Sequence, residues 1–484
     1  MTAALVEPLI EAAAAAREGV RPVPTFLVRT EAGETLWLAE QLLARGEPVC
    51  HADAGRIPAN ANTRDRAGAW LRAAAIDEAV LIVGGIDSLQ PRDRNALVRT
   101  LLAGAGDVPV LVLQGRDVGV DRSERAPGGF RIVEPAPSSR SVRADIWYRG
   151  ATDAGLMLDM AEARLLGSTY GFDRAQIEAT IALTGPTDGA GSALAPLKAA
   201  ARQIARTVAP SYVRWIDAAL RWDDLVVADP MKRELQAIAV QVQQGALVWD
   251  DWGFDRRAPY GQGVAALFAG PSGTGKTMAA QIIAGEMGVP LFHVDLAQTV
   301  SKYIGETEKT LAGIFDGAAK AGAVLLFDEA DALFGKRSDV KDAHDRYANI
   351  EVAYLLQQME EYRGLAILTT NAKQNVDAAF LRRLRFVIDF PLPDAAERLA
   401  IWQGMFPDKA PLAADVDLRF LARQLPLSGG TIQQIVLRAA FDATATGKIT
   451  MAHILSATRR ELTKLGLQSA ERFIAEAVPS EAAA

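Results

Sequence analysis

The sequence predicts an α/β protein with parallel, doubly wound sheets, closed at its C-terminal end by a helical segment. Three observations lead there. Short Val/Leu/Ile runs alternate with stretches of helical period, the pattern of a parallel sheet joined by crossover helices. A glycine-rich turn, Gly270 to Thr277, stands between one such run and one such helix. Beyond Ala396 the strand-like runs stop and only helical patterns remain. The chain has 484 residues, half of them hydrophobic and 23% charged. That is ample material for about three packed domains and excludes a largely disordered chain.

Taken in order, an Ala-rich stretch from Leu5 is a helix stopped by Gly19. Thr25–Val28, Ala79–Val83 and Val108–Leu113 are strands, with helices at Thr35–Arg45 and Asp65–Ala75 between them. The run from Gly185 to Ser192 is a loop, and Leu194–Val208 a helix leading into the second half. There, Ala265–Ala269, Ala323–Phe327 and Leu365–Thr369 are strands, alternating with helices at Thr277–Met287, Thr307–Ala321 and Ile350–Glu361. Helices then continue to about Ala477, and Pro479–Ala484 is a frayed tail. The expected division is 1–210, 211–395 and 396–484.

Composition narrows the function classes. With 52 basic and 59 acidic residues the net charge is −7, which argues against a general nucleic-acid binder. The single cysteine, Cys50, cannot form an intramolecular disulfide, which fits a reducing compartment. No apolar run reaches the roughly 20 residues that span a bilayer. Glu7 and Glu11 and the lack of a basic start distinguish the first residues from a secretory signal. A cytoplasmic protein without membrane insertion is the expectation.

The run Gly270, Pro271, Ser272, Gly273, Thr274, Gly275, Lys276, Thr277 matches G-x-x-x-x-G-K-[ST], between a strand and a helix that begins at Thr277 and Met278. Such glycines let the backbone curl so that successive N–H groups face phosphate oxygens, and the helix N-terminus adds its positive dipole end. A lysine at position 276 reaches the β- and γ-phosphates, and the Thr277 hydroxyl ligates Mg²⁺. Chance matches in a chain of this length arise roughly once in fifty. The cofactors this predicts are ATP and Mg²⁺.

Downstream, an apolar strand ends in Asp328, Glu329 and, one residue on, Asp331. A parallel strand presents its last side chains beside the phosphate loop. Asp328 is placed to hold Mg²⁺, directly or through water, and Glu329 to act as general base on the attacking water. Asn371 ends the next strand, where an amide orients that water or senses the γ-phosphate. Arg382, Arg383 and Arg385 follow. They are either a solvated face or cations that stabilise transition-state charge at a neighbouring subunit's phosphates.

In their order these elements, with Pro391-Leu-Pro393-Asp394 after the arginines, resemble the AAA clade of AAA+ ATPases over about Trp222 to Ala443. The segment Ser301 to Lys309, centred on Tyr303, is similar to a first pore loop, and Leu427 to Thr431 stands where the lid helix approaches nucleotide. The resemblance implies a ring hexamer that remodels or assembles a protein substrate gripped by Tyr303. It makes Asn371 the sensor, Arg382 and Arg385 trans-acting fingers, and Gly429 and Gly430 part of the nucleotide site. Departures are Arg383-Leu384 in place of Pro-Gly, and Tyr362-Arg363-Gly364 in place of Asp-Gly-Phe. The rival functions are a nucleotide-gated scaffold, to which an aromatic pore loop is useless, and a DNA-handling ATPase, which the charge disfavours.

The first half aligns with the second. Phe26 to Thr35 lies over Phe268 to Thr277, with Glu34 at the lysine position. Leu81 to Leu89 lies over Leu325 to Leu333, with Gly84 and Gly85 where the carboxylates stand. Glu34 precedes Gly84 by 50 residues, as Lys276 precedes Asp328 by 52. Phe130–Pro137 lies over Phe386–Pro393, and Trp147 and Trp402 follow at nearly equal distances. The first half is therefore expected to be an inactive, degenerate copy. Glu34 would repel phosphate, and two glycines offer neither metal ligand nor base. The arrangement resembles ATPases that accompany bacterial contractile injection systems, with which the His344–Asn349 segment also agrees. The four histidines have no ligand spacing, so no metal beyond Mg²⁺ is expected. Trp249 and Trp252 are taken as packing or interface residues, and Leu225–Val227 as an adenine-side strand.

Overall fold

The computed structural model describes residues 2–18, 25–29, 34–57, 62–104, 108–114, 130–133, 139–185, 191–217, 219–245, 247–257, 261–296, 306–332 and 353–464. They form two compact units, one of 1–168 with 172–200 and the other of 169–171 with 201–484.

In the first unit the strands are β1 (Thr25–Arg29), β2 (Val49–Asp53), β3 (Val80–Gly84), β4 (Val110–Gln114) and β5 (Phe130–Val133). They lie in the order β2-β3-β4-β1-β5, and every pairing is parallel. Alternation along each strand assigns its residues to two cores. Val80, Ile82, Leu111 and Leu113 pack under helices Thr2–Arg17 and Glu34–Leu43. Leu81, Val83, Val110 and Val112 pack under Thr63–Ile76 and Pro91–Gly104. Because both faces are covered, β3 is buried along its whole length, and its sequence VLIVG reads as an unbroken apolar run. Four helices follow β5, namely Arg140–Asp153, Met160–Thr169, Arg174–Thr184 and Leu194–Val208, the last running on into the second unit.

The second unit contains β6 (Arg214–Ile216), β7 (Val264–Ala269), β8 (Leu291–Asp295), β9 (Val324–Asp328), β10 (Leu365–Thr370) and β11 (Phe386–Asp389). Their order is β11-β7-β10-β9-β8-β6, with only β6 antiparallel. Ala266, Phe268, Leu326 and Ile367 face the helices Asp229–Gln243 and Lys276–Met287. On the other face Phe327 meets Phe315 of helix Glu306–Ala321, ring centroids 5.6 Å apart. Helices Ala395–Met405, Leu418–Gln424, Gly429–Asp442 and Met451–Lys464 then build a separate small core around Trp402, Ile432, Ile435 and Ile454. No helix among the described residues is long and apolar enough to cross a membrane.

Some elements differ from expectation. β2 and β8 carry no strand signal of their own, because VCHAD and LFHVD are short and interrupted by His and Asp. Leu225–Val227 forms no strand; it follows the short turn Trp222–Asp224 as extended chain, with Leu225 buried. The Ser301–Gly305 stretch with Tyr303, the His344 segment, most of the 185–192 loop and the tail lie outside the described residues.

Candidate active site

β7 is buried at all six positions and delivers the chain to Gly270 at the C-terminal edge of the sheet. Gly270 has φ +149° and lies against the Phe390 backbone carbonyl, where an added Cβ would overlap the oxygen. Gly273 and Gly275 also have positive φ, +76° and +101°. The loop thus takes a curl that only glycine accepts at low cost. It opens the helix Lys276–Met287, whose N-cap, Gly275, has no side chain to satisfy the first N–H groups. Free N–H groups converging on a dipole end make an anion site. Gly270→Ala combines a disfavoured φ with a clash against backbone. It is expected to lower the melting temperature by several degrees and to abolish nucleotide binding, as a thermal melt with and without ATP would register.

Lys276 is 7% exposed. Its Nζ donates to the Gly270 carbonyl at 2.6 Å, the Pro271 carbonyl at 2.9 Å and Asn371 Oδ1 at 2.9 Å. Burial pushes its pKa down, opposed by the charges of Asp328 and Asp331. The ammonium is thus held at the mouth of the loop, on carbonyls that an arriving phosphate can replace. Met278 packs into the core behind it.

β10 runs beside β7, and β9 beside β10, all three parallel. Asp328 therefore reaches the start of the helix, and Thr277 Oγ1 donates to its Oδ2 at 3.3 Å. Its Oδ1 accepts the Thr369 hydroxyl and, at 3.1 Å, the Glu329 N–H. His293 Nε2, on β8, lies 3.2 Å from Oδ2. These donors, His293 foremost, outweigh burial and hold the Asp328 pKa at about 2. The carboxylate is ionised at neutral pH and lies beside a hydroxyl, the donor set of a hard divalent cation. Thr277 and Asp328 fit Mg²⁺.

Glu329 is exposed and has φ +56°, one of two positive values for non-glycine residues among those described. Its N–H also reaches Thr369 Oγ1 at 3.2 Å, which pins the turn. Asp331 holds the next strand end: it accepts the Thr370 hydroxyl, the Asn371 N–H at 2.9 Å and the Ala372 N–H at 3.3 Å. Three bonds to one carboxylate set the position of Asn371, whose amide faces Lys276.

Gly430 N–H, in the first turn of helix Gly429–Asp442, donates to the Gly273 carbonyl at 2.9 Å. A Cβ on Gly430 would come within 3.0 Å of Gly273 Cα, so the pair Gly429-Gly430 lets the helix start touch the phosphate loop. Leu225 Cδ1 approaches the Cβ position of Gly275 at 3.1 Å, on the same loop. Lys276, Thr277, Asp328, Glu329, Asn371 and the glycines of both segments are thus gathered into one site.

The arginines are separated from one another. Arg385 donates to the Gly261 carbonyl at 2.8 Å, its guanidinium lies 5.7 Å from the Trp249 ring centroid, and burial lowers its pKa. Trp249 is thereby a packing residue, whereas Trp252 is 65% exposed. Arg383 pairs with Glu360 at 3.5 Å. Arg382 is exposed, with no hydrogen-bond or ion-pair partner among the described residues.

Sequence reasoning missed His293 and Thr369 at the carboxylate. Thr369 lay within a recognised strand, one register step from Asp328. His293 was visible only once β8 is known to pair with β9.

Residues 266–393 match the family model described as "ATPase family associated with various cellular activities (AAA)". The chain is 38% identical over 204 residues to an ATP-dependent zinc metalloprotease FtsH 3 of Sphaerobacter thermophilus, covering 40% of this chain and 41% of that protein. It is 35% identical over 204 residues to a proteasome-activating nucleotidase of Aeropyrum pernix, covering 40% and 50%. An uncharacterized AAA family ATPase, y4kL, of Sinorhizobium fredii is 39% identical over 130 residues, covering 27% and 39%. The chain thus spans half or less of the length of these curated relatives. Residues 266–393 are thus similar to the AAA family model, and the fold and site there are those of a phosphate-loop nucleotidase with ATP and Mg²⁺ as cofactors.

Proposed function

We propose that this protein hydrolyses ATP and uses the cycle to remodel or assemble a protein substrate, as a ring of identical subunits, with its first unit an inactive copy of the second. The observation that carries the reading is the convergence of Lys276, Thr277, Asp328, Glu329 and Asn371 at the ends of β7, β9 and β10. In the proposed reaction Lys276 leaves the loop carbonyls for the phosphates. Thr277 and Asp328 would hold Mg²⁺, which would screen phosphate charge. Glu329 takes a proton from the attacking water, which Asn371 orients. A protein substrate is supported by the names of the relatives, which couple ATP to a protease or a proteasome.

Three observations support the inactive copy. The order β2-β3-β4-β1-β5 repeats as β8-β9-β10-β7-β11. After β3, Gly85 has φ +70° and a short helical turn follows at Ile86–Ser88; after β9, Glu329 has φ +56° and the turn follows at Ala330–Ala332. Trp147 and Trp402, each in the first helix beyond its sheet, are both fully buried. Placement with contractile injection systems rests on this paired architecture and the 344–349 sequence. A nucleotide-gated scaffold is the second reading, and a Tyr303→Ala chain separates the two by losing remodelling while keeping ATP turnover.

Calorimetry on the full chain tests both halves together. One ATP per chain is expected, and none for Lys276→Ala. A remaining saturable site in Lys276→Ala would overturn the inactive copy, and absence of phosphate release by the native chain under all assembly conditions would overturn the ATPase.

A further inference from the structure

His293 has no part in the mechanism above, yet it reaches the one carboxylate that mechanism needs for its metal. It lies in the middle of β8, where Leu291, Phe292 and Val294 are buried and His293 is half-buried. Pairing with β9 sets Asp295 beside Asp328 and His293 two residues behind. The imidazole is thus carried toward the carboxylate by the sheet itself, on a strand with a fixed register. An ionised carboxylate only accepts, so His293 donates through Nε2–H to Oδ2.

The four groups on Asp328 divide evenly. Oδ1 is held by Thr369 and the Glu329 N–H; Oδ2 is held by Thr277 and His293. Thr277 at 3.3 Å is the longest contact, and it is also a metal ligand in the proposed cycle. When the hydroxyl turns to Mg²⁺, His293 is the remaining side chain on Oδ2 among the described residues. Without His293, Oδ2 would then keep no side-chain donor among the described residues, and the carboxylate would be fixed through Oδ1 alone.

We infer that His293 is a positioning residue that holds the Asp328 carboxylate in the orientation that binds Mg²⁺. The inference rests on the ATP site proposed above. Outer hydrogen bonds of this kind typically change metal affinity by about 10–100-fold when removed. Gln places an amide Nε2 close to the imidazole position; Leu fills the space and donates nothing.

The test uses the full chain, a fluorescent ATP analogue and a Mg²⁺ titration, with Mn²⁺ binding followed by electron paramagnetic resonance as the second readout. His293→Leu is expected to raise the half-saturating Mg²⁺ and Mn²⁺ concentrations by about 10-fold or more. His293→Gln should return them to within about threefold of native. Equal metal dependence in the native and Leu proteins would overturn the inference, as would a Gln protein no better than Leu. If Leu fails to fold, His293→Ala takes its place: a loss of about 10-fold or more in metal affinity that Gln restores supports the role, and native-like affinity in Ala defeats it. A native chain that binds no nucleotide, with or without metal, would remove the ATP site itself, and that result is distinct from all of these.

Discussion

Glu329→Gln is expected to bind ATP–Mg²⁺ with native affinity and to hydrolyse it about 10²–10⁴-fold more slowly, the range lost with a general base. The substitution keeps the shape, and it leaves Asp328 and its four partners in place. What disappears is the acceptor for the water's proton. Turnover measured by phosphate release, beside binding measured by calorimetry, separates the two effects. Near-native hydrolysis would defeat the assignment. Asp328→Asn should behave differently, because it weakens the metal and so lowers binding in Mg²⁺.

Arg382→Ala is expected to cost about 10³-fold or more in turnover, the usual loss when a trans-acting arginine is removed. Arg382 stands exposed, whereas Arg385 is engaged by Trp249 and Gly261 of its own chain. Arg385→Ala should therefore also lower the melting temperature, and Arg382→Ala should not. The decisive experiment mixes Lys276→Ala with Arg382→Ala. In a mixed ring some interfaces join an intact phosphate loop to an intact arginine, and partial activity should return. No recovery in demonstrably co-assembled protein, or a concentration-independent rate in a strict monomer, would show that the arginine does not act between subunits.

The buried strands β3, β7, β9 and β10 were legible because burial on both faces demands continuous apolar sequence, and the phosphate loop because its glycines are conformational requirements. Lys276 followed from the glycine-rich pattern, and Asp328, Glu329 and Asn371 from their places at or just after strand ends. The strands β2, at a sheet edge, and β8 were not legible, since His and Asp interrupt their short apolar runs. His293 went with them, because its meaning depends on a neighbour 35 residues away in sequence. The different surroundings of Arg382 and Arg385 were likewise hidden: Arg385 is held by Trp249 and the Gly261 carbonyl, which no local pattern connects to it.

The turn after β9 has a further consequence. A glutamate at φ +56° costs about 1 kcal/mol that glycine does not, so Glu329 is retained against a constant pull toward glycine. In the first unit Gly85 takes a similar left-handed conformation without strain. There Asp53 lies over it, its Oδ1 accepting the Gly55 N–H at 2.9 Å and filling the space a Gly85 side chain would need. A glutamate placed at position 85 would meet Asp53 Oδ1 and the Gly55 backbone, so it needs at least a second, coordinated change. On the reading of the first unit as an inactive copy, such a latch would keep it released from nucleotide even after a single reverting substitution.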